Sequence, residues 1–396
     1  METLDIAIIG CGVAGACAAY SLRHTKKTVA LIDVGRPPLK RRRQMEGWLG
    51  LLPSSDGKLF LNDLKHCSFD KDIAFGKVQE LLNQVSDFKV FESKKINNEF
   101  IKTAKNNGFN IEYFNWMQMY PKDIHALSKI MNVQIENLDN FYHYFDLEVS
   151  DVFHENGVFS IECGEKTIKA KKVVIALGRS GWRLSHQIFS KFGLITDNTE
   201  ARLGIKIETQ SDNLKEFKKS ILTLSNPNEQ LTLGPFMSNG TVIPEDHIEM
   251  AQAAFRSNEP RWQSSYTTFD LLKTIKVEKA CETVDRLSKL TWILGNDRII
   301  KEPTMTILNK KSKLFILEEY KFLTDELKKI NSLFPEILEK SYYYAPLIMA
   351  EPARIELDEH LETKVPGMYC VGESARIPGL LGAMISGMKM EQLGND

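Results

Sequence analysis

The residues Gly10-Cys11-Gly12-Val13-Ala14-Gly15 constrain this chain more than any others, because of what stands on either side of them. Before them runs Leu4-Asp5-Ile6-Ala7-Ile8-Ile9, the short apolar run of a buried parallel strand. After them Val13, Ala16, Cys17 and Tyr20 recur at helical spacing, which predicts a helix to about His24. Thr28 to Asp33 then reads as a second strand that ends in an acid. Strand, GxGxxG, helix, strand, acid is the order of a dinucleotide-binding unit. Gly10 permits the tight turn out of the strand, Gly12 the close approach of a pyrophosphate, and Gly15 the packing of helix on sheet. The free N–H groups at the helix start, at Val13 and Ala14, then face the phosphates. Asp33 stands about eighteen residues past Gly15, near the ~20 expected for a carboxylate that bonds ribose hydroxyls. A carboxylate there also repels a 2′-phosphate. A tight turn that holds nothing does not account for Asp33.

The apolar N-terminus invites a second reading, as a targeting segment. Its flank, Met-Glu-Thr-Leu-Asp, is acidic where a signal peptide is basic, and the run contains three spaced glycines. No other stretch approaches the ~20 apolar residues of a membrane span. A soluble, cytoplasmic protein without membrane contact is expected. With 51 Lys+Arg against 52 Asp+Glu the chain is not globally a nucleic-acid or membrane-surface binder, although a local patch is compatible with that balance. The candidate patch is the basic run Arg36 to Arg43, either a solvated loop or a grip on adenosine phosphates or a polyanionic substrate. The six cysteines form no CxxC and no Cys/His cluster, so they read as buried free thiols in a reducing compartment. Metal binding has no support.

The 396 residues suggest two or three domains, or one domain interrupted by another. From Phe145 onward, alternating strands joined by Asn156-Gly157 and a turn at Gly164 form a small β-meander. It leads into a buried strand that ends in Ala176-Leu177-Gly178. Near the C-terminus, Gly367 to Val371 is another short strand, followed by Gly372-Glu373 and by Ile377-Pro378-Gly379-Leu380-Leu381-Gly382, which opens a helix.

These segments resemble the FAD-dependent oxidoreductases of the two-dinucleotide-fold, glutathione-reductase-like superfamily. Within it the chain is most similar to the FAD-dependent dehydrogenase group related to the HI0933-like flavoproteins. The matches are Gly47-Trp48-Leu49-Gly50 leading to Ser55-Asp56-Gly57-Lys58, then Ala176 to Gly181, Glu351-Pro352-Ala353-Arg354-Ile355, and Gly367 to Gly387. Together they span roughly half the chain. The resemblance implies an α/β fold: a Rossmann-like FAD-binding domain with a β-meander, interrupted by a mixed α+β substrate domain. It implies FAD as cofactor, with Gly10, Gly12 and Gly15 at the pyrophosphate and Asp33 at the adenosine ribose. Val149 would offer its backbone to the adenine, and Gly178 would pass close to the cofactor. Glu373, after Gly372, would bond the ribityl chain or reach the pyrophosphate. Gly379, Leu380 and Leu381 would aim N–H groups at the flavin pyrimidine edge, where a positive helix end stabilises the reduced anion. The run before Ser55 is poorer in glycine here than in the family, and the turn after Glu373 carries Arg376.

The expected division is 1–68, 141–200 and 345–396 for the FAD-binding domain, 69–140 for a helical insertion, and 201–344 for the substrate domain. Val78 to Val85 and a helix beginning near Pro121 mark the first insertion. The second opens with the alternating strand Leu203 to Glu208, and helices are expected around Thr268 to Ile275 and Leu323 to Leu333. Catalytic candidates are few, because flavin chemistry needs orientation, a polarised flavin and sometimes one base. Lys58 reads as a group near flavin N5 or as a structural contact. Arg354 reads as an anchor for an anionic substrate or as a partner of Glu351. Arg179 and Trp182 follow Gly178 closely, and His247 is the one histidine that merits a test. No second GxGxxG follows, so a resident nicotinamide is not expected.

The function expected is oxidation of a small amine or amino-acid-like molecule by hydride transfer to FAD. One rival is a flavin-dependent enzyme that modifies a nucleobase in DNA or tRNA, motivated by Lys40 to Arg43. The other is a non-catalytic flavin-binding sensor.

Overall fold

A computed structural model describes residues 2–37, 40–41, 45–50, 52–245, 252–256, 263–334, 337–349 and 353–395. It divides into two compact units: Met1–Lys89, Met117–Asn198 and Pro352–Asp396 form the first, Val90–Trp116 and Thr199–Glu351 the second.

The first unit is built on β1 (Leu4–Ile9), α1 (Val13–Ser21) and β2 (Val29–Ile32). It continues through α2 (Asp72–Asn83), α3 (Pro121–Glu136), β3 (Phe141–Tyr144), β4 (Asp151–Glu155), β5 (Val158–Cys163) and β6 (Lys166–Ile175). It closes with α4 (Trp182–Lys191), β7 (Met368–Cys370) and α5 (Leu380–Met388). Strands β3, β2, β1, β6 and β7 lie side by side in that order, all parallel. The register puts Ile6 beside Val29 and Ile9 between Ile32 and Ile175. All six residues of β1 except Asp5 are buried, as expected for a strand covered on both faces. Ile6, Ile8 and Leu31 pack with α1, α2 and α3; Ala7, Ile9 and Ile175 pack with the meander and with Phe189 of α4. Each such isoleucine contributes about 1.5–3 kcal/mol of burial.

β6 has two roles along its length. Lys166 to Ala170 pairs antiparallel with β5, and Ala170 to Ile175 pairs parallel with β1. β5 in turn pairs with β4 through Asn156-Gly157, whose φ values of +52° and +76° fit a two-residue hairpin turn. Helix α3 begins with Pro121, and Asp123 accepts from the Tyr120 N–H at 2.9 Å.

Residues 69–140 do not form one helical block. α2 and α3 belong to the first unit, whereas Val90–Trp116 joins the second, where Asn110–Tyr113 pairs with Leu222–Asn226. The helix expected around Thr268 to Ile275 is instead a strand, Tyr266–Lys276. Thr267, Thr268 and Thr274 favour extended backbone, and Tyr266–Lys276 is hydrogen-bonded along its whole length to Glu200–Gln210. That pairing, distant in sequence, overrides the helical period of Leu271, Leu272 and Ile275. The helix expected at Leu323 to Leu333 is present.

The second unit is an antiparallel sheet with Glu200–Gln210 at its centre, between Tyr266–Lys276 and Ser341–Met349. Along that strand Leu203, Ile205 and Ile207 point to one face; Lys206 and Glu208 point to the other. Lys206 pairs with Asp270, and the Tyr344 hydroxyl donates to Glu208 Oε1 at 2.7 Å. Among the described residues no helix is long and apolar enough to cross a membrane, and no cluster of metal-ligating side chains occurs.

Candidate dinucleotide site

Three strand ends meet at the carboxyl edge of the first unit's sheet. β1 runs out into Gly10, β6 into Ala176, and β7 into Val371. Gly10 has φ +97°, and a Cβ there would stand 2.6 Å from the Ala176 carbonyl oxygen. A Cβ on Gly15 would overlap the Gly10 carbonyl and stand 3.2 Å from Ala176 Cβ. The Val371 N–H donates to the Ile175 carbonyl at 3.1 Å, and a Cβ on Gly372 would stand 2.9 Å from Ala14 Cβ. The chain moves from β1 outward to β2 and β3, then returns to the other side of β1 as β6. Ligands of open α/β sheets bind at that reversal, outside the carboxyl ends.

Gly12 differs from its two neighbouring glycines. Its φ of −61° is open to any residue, and a Cβ would meet only Gly50 Cα, at 4.0 Å. α1 starts at Gly12 without a side-chain cap and without an acid in its first turn. Its first N–H groups and positive dipole end therefore face outward as an anion seat, with Val13 and Ala14 beside it. A Cβ on Gly178 likewise meets nothing within 4 Å.

Asp33 is 8% exposed and is held by three backbone N–H groups. Cys11 donates to Oδ2 at 2.6 Å; Gly35 and Gly47 donate to Oδ1 at 2.7 and 2.8 Å. An ionised carboxylate has about four acceptor positions, so Oδ2 retains one for a hydroxyl. The Leu147 N–H donates to the Asp33 carbonyl at 3.1 Å, which brings the 146–149 segment and buried Val149 alongside.

The segment before Ser55 compensates for its few glycines in an unexpected way. Leu49, fully buried, adopts φ +61° and donates its N–H to the Cys11 carbonyl at 2.9 Å. Gly47 and Gly50 flank it, also at positive φ. Arg41 turns inward onto this loop, donating to the Trp48 carbonyl at 2.5 Å and to the Gly50 carbonyl. Burial lowers its guanidinium to about 10, opposed by the charge of Asp33. Arg36 pairs with Asp146 at 3.2 Å. The basic run is thus not a continuous surface patch at these two positions; Arg42 and Arg43 lie outside the described residues.

Glu373 pairs with Arg179 at 3.4 Å, which links the segment after β7 to the segment after β6. The Ser374 hydroxyl adds a bond to the Leu177 carbonyl at 2.6 Å. At the start of α5, Gly379 has φ +81°, and a Cβ there would collide with the carboxylate of Asp63. Asp63 accepts from the N–H groups of Leu381 and Gly382, yet burial dominates and raises its carboxyl to about 7. The helix end expected to be bare is therefore met by a side chain of the chain itself.

Lys58 is inward, its side chain 11% exposed and in contact with the Asp56 carboxylate. Burial lowers its ammonium to about 7, while Asp56 favours the charged form. Arg354 is 55% exposed and lies 4.0 Å from Asp197, on the short ladder of Ile195–Asp197 with Arg354–Ile355. Glu351 and Pro352 lie outside the described residues, as does His247. Trp182 is buried at the start of α4. Sequence reasoning did not single out Asp63, and Asp56 appeared only within a motif. No local pattern marks Asp63, because the helix it meets begins more than 300 residues later.

Strand order, glycine crossover and meander together define a dinucleotide-binding α/β fold joined to an antiparallel-sheet unit. No family profile and no curated protein sequence matches the chain. Among solved structures, halogenase PltM aligns at 12% identity over 99% of this chain and 68% of its own, with a TM-score of 0.44. Glycine oxidase from Geobacillus kaustophilus aligns at 13% identity over 98% and 93%, with a TM-score of 0.40. The L-alpha-glycerophosphate oxidase from Mycoplasma pneumoniae, with FAD bound, aligns at 12% over 100% and 96%, with a TM-score of 0.43. The fold assignment rests on strand order and register.

Proposed function

We propose that the chain is an FAD-dependent oxidoreductase of the glutathione-reductase-like kind, within the HI0933-like group by its motifs, acting on a small amine or amino-acid-like substrate. The observation that carries this reading is the joint presence of open Gly12, uncapped α1 and Asp33 with one acceptor position left, at the sheet's switch point. Those residues fit the pyrophosphate and ribose of an adenine dinucleotide. The meander between β3 and β6, with no second GxGxxG, favours FAD over a resident nicotinamide.

When bound, FAD supplies the acceptor for a hydride or electron pair. Gly12 and the first N–H groups of α1 hold the pyrophosphate, and Asp33 holds the ribose. Val149 offers backbone to the adenine, and Gly178 lets the chain pass close to the cofactor. Glu373, fixed by Arg179, orients the segment after Gly372. Lys58, held by Asp56, is the candidate proton carrier, and Arg354 the candidate substrate anchor.

The test is the visible spectrum of the purified protein and anaerobic bleaching by a panel of amines and amino acids. A colourless protein that takes up no FAD refutes the cofactor, and a yellow protein that no substrate bleaches refutes the enzyme in favour of a sensor. Turnover that needs DNA or tRNA, with steep salt dependence, would favour the nucleobase reading.

A further inference from the structure

Leu49 stands in the left-handed region at φ +61°, a conformation that costs any bulky residue free energy. Gly47 and Gly50 beside it have φ +82° and +48°, so the turn leaves ordinary backbone three times in four residues. This turn is tied to the groups on which the proposed cofactor seat depends. The Gly47 N–H donates to Asp33 Oδ1 at 2.8 Å, and the Leu49 N–H to the Cys11 carbonyl at 2.9 Å. A Cβ on Gly50 would stand 3.0 Å from Gly12 Cα and 3.7 Å from the Val13 nitrogen. Gly50 therefore lies against the first residues of α1.

Arg41 reaches the carbonyls on both sides of Leu49. One guanidinium nitrogen donates to Trp48 at 2.5 Å and another to Gly50. The planar fork of a guanidinium suits two such oxygens, whereas an ammonium is a point charge. Hydrogen bonds from a charged donor are roughly twice as strong as neutral ones, and partial burial strengthens them further. The Trp48–Leu49 peptide unit is thus held at both ends, its carbonyl by Arg41 and its N–H by Cys11. Strained backbone persists only where its surroundings over-determine it, and it concentrates at functional sites.

Building on the FAD reading, we propose that Arg41 is a positioning residue for the cofactor, whose bridge across Leu49 keeps the 47–50 turn against the seat at Gly12 and Asp33. It acts through the turn and not by contact with the phosphates. Without the bridge Leu49 relaxes to ordinary backbone and Gly47 withdraws its N–H from Asp33. The carboxylate then loses one of the three amides that fix it. Affinity for the dinucleotide falls with the fraction of chains whose turn is in place. Trp48, 1% exposed, leaves the interior together with the turn.

The test compares Arg41→Met and Arg41→Lys with wild type, each with and without a Trp48→Phe partner. In the FAD-free proteins, acrylamide quenching of Trp48, taken as the difference from that partner, is expected to rise in both variants. FAD affinity by fluorescence titration is expected to fall about tenfold or more, equal to about 1.4 kcal/mol. Lysine keeps the charge without the fork, so wild-type quenching and affinity in Arg41→Lys overturn the bridge. Weakened FAD with Trp48 still shielded also overturns it, because that pattern marks direct contact between Arg41 and the phosphates. Exposed Trp48 with wild-type FAD affinity shows a turn that does not serve the cofactor, and overturns it too. If Arg41→Met does not fold, Arg41→Lys decides alone. If wild type itself takes up no FAD, the cofactor reading falls and the positioning role with it; failure of the proposal alone leaves wild-type uptake intact.

Discussion

Gly12 and Gly15 belong to one motif, yet the structure assigns them opposite sensitivities to a single methyl group. At Gly12 a Cβ would have only Gly50 Cα for company, at 4.0 Å, and φ is −61°. Gly12→Ala is therefore expected to change stability by no more than about 1 kcal/mol, the unfolded-chain gain of about 0.4–1 kcal/mol being offset by the poorer N-cap that alanine makes for α1. For a unit of this size 1 kcal/mol is about 2–4 °C in Tm. Gly15 lies inside α1, where alanine by propensity alone would gain about 1 kcal/mol. Against that, its Cβ would overlap a backbone carbonyl that cannot rotate away. Overpacking of this kind costs about 1–3 kcal/mol and more when backbone is struck, so Gly15→Ala is expected to lower Tm by several degrees. On the proposed reading FAD binding inverts the order of harm: a Gly12 methyl would stand where the pyrophosphate is proposed to approach and is expected to weaken FAD about 10–200-fold. Thermal melts without FAD and a fluorescence titration of FAD measure both quantities. Wild-type FAD affinity in Gly12→Ala would refute the assignment of that seat. Wild-type stability in Gly15→Ala would refute the packing of α1 on Gly10.

Other outcomes follow from the same geometry. Asp33→Asn exchanges an acceptor for an amide donor facing N–H groups and is expected to cost about 3 kcal/mol and FAD binding together, read by melts and titration. Asp63 has its carboxyl raised to about 7 in the folded chain against about 4 unfolded, so the folded state binds the extra proton. Its contribution to stability is full below about pH 4 and declines by up to about 4 kcal/mol as pH rises to 7, whereas Asp63→Asn lacks that decline. Denaturant titrations of both proteins from pH 4 to 8 should diverge; parallel curves would refute it. Lys58→Met strands the buried Asp56 carboxylate and is expected to cost about 3–5 kcal/mol, recovered largely in Lys58→Met/Asp56→Leu. Turnover that stays lost in the stable double variant would mark Lys58 as more than a structural contact. Native thiol titration is expected to label Cys281 alone, because the other five cysteines are buried; rapid reaction of a second thiol contradicts the packing.

The features legible in the sequence are those written within a few residues. The glycine motif, the Asn156-Gly157 hairpin and the Pro121 helix start each carry a local backbone signal. The strand Asn110–Tyr113 carries none: its partner Leu222–Asn226 lies more than 100 residues away, and its four residues alternate too briefly to declare a sheet. The basic run stayed open between two readings in the sequence for a related reason. Its charge is visible, but Arg36 pairs with Asp146 and Arg41 turns into the carbonyls of a loop, neither of which composition shows. Asp33 stands at the end of the second strand where the sequence places it, but its three amide partners depend on loops that the sequence does not position. Leu49 at positive φ is the sharpest case, since the residue type argues against the conformation it adopts.

The strand order also sets a schedule for synthesis on the ribosome. β6 is complete once Ile175 is made, but its outer parallel neighbour, Met368–Cys370, is made roughly 190 residues later, about 10–40 s at 5–20 residues per second. In that interval Val173 to Ile175 present an unpaired parallel edge of apolar residues, the kind that recruits foreign strands. The whole of the second unit, which ends at Glu351, emerges before the first can finish. The nascent chain therefore has to complete the interrupting unit while holding the dinucleotide sheet one strand short. Expression yield should depend on how well chaperones shield that edge, independently of how stable the finished protein is.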